Sequence, residues 1–299
     1  PLTLCLENPA RDTLIRKIES LNRNAPPDCR QKVLFLNMDH PRMGPMGRLF
    51  FPYLAEAFRS FGYESDSLPI TDWTPEKLRE YAAVVIPEFD TIPLHGLFSR
   101  TNPKKYAEIV QDYVRDGGSL LILAGTGDTV RIQAKSILEL GSRFGVGIGG
   151  AAEHPLAYSS RHRIFGDPFQ FESSEIAQHP VTAGVKKVQF HALRPLMIFR
   201  SRNPEMKALV SVPGDAEHNA GAPVIAGGPF GKGHVAVSAC VMWCQPFRIE
   251  YADNAILLHN LAAWLLKRTP DRTAAETFRK TLFLTEKTYS PVRNVPGKR

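Results

Sequence analysis

The sequence has no apolar run near the roughly 18 residues that a membrane-spanning helix needs. It also has no zinc-type ligand spacing. Its four cysteines are Cys5, Cys29, Cys240 and Cys244, and the one close pair is C-x-x-x-C, with no second pair and no His-x-x-x-His beside it. The nine histidines, His154, His179, His191, His218, His234 and His259 among them, follow no ligand spacing either. Neither G-x-G-x-x-G nor a P-loop occurs, and there is no internal repeat or low-complexity tract. The chain opens PLTLCLENPARD, without the basic start and apolar core of a secretory leader. These absences argue against a membrane span, a metal site, a nucleotide-type cofactor and wholesale disorder. The expectation is a cytoplasmic protein with reduced thiols, no metal and no cofactor.

The 299 residues, 43% of them hydrophobic, can bury a full core. The net charge of +7 raises the question of nucleic acid. Yet the basic residues are scattered. They are densest at Arg161 to Arg163 and in the tail (Arg268, Arg272, Arg279, Lys280, Lys298, Arg299), and no nucleic-acid motif accompanies them. They read as a solvated surface, and nucleic acid is not an expected partner.

A short amphipathic helix is predicted over 10–22, before a break at Pro26 and Pro27. From Lys32 a regular alternation begins. The strand VLFLNM precedes a helix ending at Gly62, TPEKLREY leads into AAVVIPEF, and NPKKYAEIVQDYVRDGG leads into SLLILAG, with Thr or Asn caps and Gly117 as a stop. Continuous apolar strands between amphipathic helices predict an α/β fold with a doubly wound, mostly parallel, flavodoxin-like sheet. After the helix RIQAKSILELGSRFG the segments become Gly- and β-rich, predicting a β-rich C-terminal elaboration with an antiparallel region. NAILLHNLAAWLL reads as a helix on the sheet, with His259 a satisfied core or surface residue, and AAETFRKTLFLTEK as a further helix. The organisation expected is a helical extension over 1–31, one α/β domain over 32–268, and a helix with a basic tail over 269–299.

Ligands of open parallel sheets bind beyond the carboxyl ends of the strands. Four loops should occupy that rim. The first, Asp39, His40, Pro41, Arg42 to Gly47, precedes a helix and offers acidic, imidazole and anion-binding groups. The second carries Glu88 and Asp90, able to hold a hydroxylated ligand or a cation. The third, Gly125-Thr126-Gly127-Asp128, has the glycine-flanked shape of a nucleophile elbow. Thr126 is nevertheless a poor nucleophile without an adjacent base, so a hydroxyl or backbone contact to ligand fits it better. The fourth contains Cys240 and Cys244, where a thiolate could pair with a base such as His191, against the plainer reading of buried structural thiols.

Several segments together, YAAVVIPEF, YVRDGGSLLILAGTGD, HPVTAGV, GKGHVAVSAC and DNAILLHNLAAWLL, resemble the GIFT domain of gliding-motility and intraflagellar-transport proteins. They are also similar to the wider class I glutamine amidotransferase-like superfamily. The resemblance spans roughly residues 32 to 268. It implies a flavodoxin-like sheet without the amidotransferase triad, in domains that serve protein assemblies or bind carbohydrate-like ligands. The leading expectation is a non-catalytic domain that binds a small polar ligand or a protein partner at the rim through Asp39, His40, Glu88, Asp90, Thr126 and Asp128. The alternatives are a hydrolase or lyase using Cys240 or the rim carboxylates, and a scaffold subunit with an exposed apolar patch. Sequence leaves the oligomeric state open.

Overall fold

Strands β1 (Lys32–Leu36), β3 (Ala83–Pro87) and β4 (Ser119–Leu123) are short apolar runs whose described side chains are almost wholly buried. Strands covered on both faces lose the in-out alternation of a half-exposed sheet. They form the middle of a seven-stranded sheet, ordered β10-β11-β12-β4-β3-β1-β2, with β2 (Glu64–Leu68), β10 (Lys207–Ser211), β11 (Pro223–Phe230) and β12 (Gly233–Ser238). The five strands from β12 to β2 pair in parallel, while β11 and β10 add to one side as antiparallel neighbours. The computed structural model describes residues 31–36, 52–87, 103–124, 140–149, 156–191, 193–245 and 248–287. The helix expected over 10–22 lies outside them.

Helices α1 (Pro52–Arg59), α2 (Pro75–Leu78) and α3 (Pro103–Arg115) fall in the βα units read from the sequence. Thr74 caps α2 through its side chain, which accepts from the Lys77 amide at 3.1 Å. Helix α4 (Asn254–Leu265) is buried at every one of its residues. It lies against β4 and β12 and against α1, and is covered in turn by α5 (Arg272–Lys287), whose Ala275, Phe278 and Leu282 join the core. A helix apolar all round belongs in such a sandwiched position. Helices α2 and α3 pack on each other, with α3 against β4 and β12.

His259 on α4 departs from expectation. It is buried between Phe61 and Phe278, and neither ring nitrogen has a hydrogen-bond partner. It is therefore a core residue but not a satisfied one. Strand β2 was not foreseen, because ESDSL at the sheet edge is half exposed and carries no apolar run.

The β-rich elaboration forms two further antiparallel sheets. One joins β5 (Val146–Ile148) to β9 (Leu196–Ile198), and the other orders β6 (Arg163–Ile164), β7 (Asp167–Ser173) and β8 (Val188–His191). One cluster of buried side chains runs from Val33 to Leu282.

Candidate functional site: the carboxyl rim of the sheet

The parallel register sets Ser238 beside Leu123, Leu123 beside Pro87, and Phe35 beside Val85. The four strands therefore end in one row, the edge where ligands of such sheets sit. Asp39, His40, Glu88, Asp90, Thr126 and Asp128 all lie outside the described residues. What the register supplies is the origin of their loops: Leu36, Pro87 and Ala124 leave the sheet from adjacent positions.

The fourth loop is described in full to Gln245. After β12 the chain turns through Ala239, Cys240 and Val241 into a 3-10 turn at Met242–Cys244. Ser238 organises it. Its hydroxyl donates to the Cys240 carbonyl at 2.7 Å and accepts from the Trp243 indole N–H at 3.0 Å. The Cys240 thiol is fully buried and donates to the main-chain oxygen of His191 at 3.2 Å, while the Cys244 thiol donates to Val241 O at 3.2 Å. Burial pushes the Cys244 thiol far above its ordinary range. The Cys244 thiol held this way is protonated rather than a thiolate. The His191 ring is not the partner of Cys240, and its Nδ1 is buried without a hydrogen bond. Burial, with the Arg248 cation second, keeps that imidazole neutral below the usual histidine range, against a smaller opposite pull from Asp167.

Next to this loop the three-stranded sheet contributes polar groups. His191 stands directly across from Gln170. Gln170 donates to the Asp167 carboxylate at 2.9 Å and accepts from the Arg248 guanidinium at 2.5 Å. Desolvation works to raise the Asp167 pKa, but the bonds from Gln170 and the Phe169 amide, together with nearby positive charge, outweigh it and keep the carboxylate ionised. Arg248 also lies over the rings of Phe165 (5.5 Å) and Tyr251 (5.9 Å), which meet edge to face at 5.4 Å. Phe165 and Gly166 form the two-residue turn from β6 to β7 with φ of 54° and 75°. Both central positions are left-handed, a geometry that favours Asn-Gly and strains a phenylalanine. The Phe165 ring is nevertheless 65% exposed.

Asp167, Gln170, Arg248, Phe165 and Tyr251 were not singled out from the sequence. Gln170 and Arg248 are 78 positions apart, so nothing local pairs them. The Phe-Gly dipeptide between two short polar-apolar segments is the one local signal, as a hairpin turn. Among the described residues no group of three or more His, Cys, Asp or Glu is placed to hold a metal, and no helix is long and apolar enough to cross a membrane.

The segments that carried the family resemblance prove architectural where they are described. In HPVTAGV, the His179 ring accepts from the Val181 amide and Thr182 Oγ1 accepts from the His179 amide, closing a capping box. His234 of GKGHVAV stacks on Trp264 at 4.3 Å and bonds its carbonyl at 2.8 Å, while His179 meets the same indole edge-on at 5.2 Å. Comparison with protein-family models finds no match, and comparison with curated proteins finds none either. Solved structures do match. The N-terminal domain of mmIFT52 superposes with a TM-score of 0.59 at 16% identity, over 78% of this chain and 97% of that one. The cytoplasmic protein STM1381 of Salmonella typhimurium LT2 gives 0.53 at 17% identity, over 78% and 99%. The cytoplasmic protein STM3548 of Salmonella typhimurium gives 0.51 at 13%, over 80% and 100%. The chain has a GIFT-like fold, mixed α/β, with a mostly parallel seven-stranded sheet and added antiparallel sheets.

Proposed function

We propose that this chain is a cytosolic, non-catalytic amidotransferase-like domain that binds a small polar, carbohydrate-like ligand at the carboxyl rim of its sheet. The residues assigned to this site are Asp39, His40, Glu88, Asp90, Thr126 and Asp128, together with Arg248, Gln170 and Asp167. The observation that carries the non-catalytic reading is the Cys240 thiol, buried and donating to the His191 carbonyl where a nucleophile would need an imidazole nitrogen. The binding reading rests on the charged Arg248–Gln170–Asp167 chain beside the rim, with the exposed Phe165 ring as a stacking face. We read the sheet as doubly wound and flavodoxin-like, with α1, α4 and α5 on one face and α2 and α3 on the other. Residues 32–268 then form the domain, 1–31 an appended helical element, and 269–299 a closing helix and tail.

A protein partner at the same rim is the second reading, favoured by the strained and exposed Phe165. Saturation-transfer NMR of the full chain with D-glucose and D-glucuronate tests the first. Transfer from at least one sugar, lost in Asp90→Ala/Asp128→Ala and in Arg248→Gln with unchanged melting, supports it. No transfer from either sugar, together with concentration-dependent self-association or capture of a partner that Phe165→Ser abolishes, moves the account to the second.

A further inference from the structure

A second site stands on the same three-stranded sheet, running from β6, where Ile164 pairs with Asp167, toward the Ser173–Val188 end. There Arg161, His162, Arg163, Ile164, Glu172, Ser174 and Lys187 line an open groove of about 200 Å³. Three permanent cations and one carboxylate face the same small space, and it is the basic cluster Arg161 to Arg163 that the rim site does not use. We propose that this groove binds a compact multivalent oxyanion, the phosphate or clustered carboxylates of a small molecule.

Hydrogen bonds to the main chain fix the backbone on both walls of the groove. On one wall, the carboxylate of Asp253, at the start of α4, accepts from the main-chain amides of Lys186 (2.8 Å) and Lys187 (3.2 Å), fixing the backbone that presents Lys187 just before β8. On the other wall, the Glu217 carboxylate accepts from the Ser160 amide through both oxygens (3.1 and 2.9 Å), and Asp215 bonds Arg161 at 3.2 Å and His162 at 2.7 Å. Glu172 N donates to His162 O at 3.0 Å, tying the floor to the Arg161–Arg163 wall. The cations are thus held on fixed backbone before any ligand arrives, which lowers the ordering cost of binding.

Charge and size select the ligand. Within the groove Arg161, Arg163 and Lys187 outnumber Glu172, and the one ion pair that crosses it, Lys187 to Glu172 at 3.2 Å, is solvent-exposed and cheap to exchange for a ligand oxyanion. Ser174 adds a hydroxyl to the lining. Asp215 and Glu217 border the basic wall with negative charge, which disfavours a long polyanion crossing the site and favours a compact one. The volume is below the roughly 300–1,000 Å³ of drug-sized pockets, in keeping with one oxyanion group and its immediate carrier.

The test is isothermal titration of the full chain with inorganic pyrophosphate and, separately, with citrate, at low salt. The expected result is saturable binding of at least one probe, one per chain, with stronger binding of pyrophosphate assigning a phosphorylated ligand and of citrate a carboxylate ligand. Arg163→Ala and Lys187→Ala should each weaken it about tenfold, the scale of one charge-assisted hydrogen bond. Lys104→Ala, which removes an exposed lysine on α3, should leave it unchanged. Glu172→Gln should tighten it, because the competing carboxylate is gone. No saturable binding of either probe, equal loss in Lys104→Ala, or weaker binding in Glu172→Gln would overturn the proposal. Arg163, Lys187 and Glu172 are not among the residues of the proposed rim site, so failure here with sugar transfer intact leaves the rim reading standing.

Discussion

At the residue scale, His259 shows what a polar group without a partner does inside this core. Both ring nitrogens are buried without a hydrogen bond, and desolvation holds the folded pKa at about 4, against 6.5 for the free side chain. Between those values only the unfolded chain takes up the proton. Stability from this residue is therefore full above about pH 6.5 and declines as the pH falls toward 4, by on the order of 3 kcal/mol across the window. Burial lowers His179, His191 and His234 in the same direction, adding to the acid limb. His259→Leu keeps the packing against Phe61 and Phe278 and removes the titration. Denaturant melts from pH 4 to 7 should then show a flatter acid limb for the variant than for the parent, and an identical limb would show that His259 is not its source.

At the scale of elements, the junction of α3 with the β11–β12 hairpin shows how the family-like glycines act. Gly118 and Gly233 touch so closely that a Cβ on Gly233 would sit 1.9 Å from Gly118 O and 2.4 Å from Val114 O. Gly233→Ala therefore should cost about 3 kcal/mol or more, because backbone rather than a movable side chain has to give. Urea unfolding measures it, and a loss under 1 kcal/mol would mean that the junction yields more easily than its geometry requires. The same contrast explains what was legible in the sequence. Strands β1, β3, β4 and β12 could be read because burial on both faces leaves a continuous apolar signature, and α4 because it is apolar throughout. The strand ESDSL could not, because a polar edge strand resembles a loop until its neighbour is known. The Arg248–Gln170–Asp167 chain was invisible for a related reason. It arises from a hairpin register and a loop 78 residues away, and neither leaves a local pattern.

At the scale of the whole molecule, the segments shared in pattern with GIFT-like domains hold the frame together where they are described, while the Arg248–Gln170–Asp167 chain stands on the small antiparallel sheet and the segment after Gln245. Trp264 is the meeting point: the His179 capping box and the β12 residue His234 both pack on its indole. Such a frame can retain its fold while its rim loses a nucleophile, and the account depends on Cys240 having no catalytic part. The most direct measurement is site-resolved alkylation of Cys240 by iodoacetamide in the native full chain, followed by mass spectrometry across pH 5 to 9. A thiol as buried as Cys240 reacts only when the structure opens, so modification should be at least ~100-fold slower than in the urea-unfolded chain. Rapid native labelling of Cys240, with a rate that titrates near neutral pH, would contradict the account and identify a thiolate nucleophile at the rim.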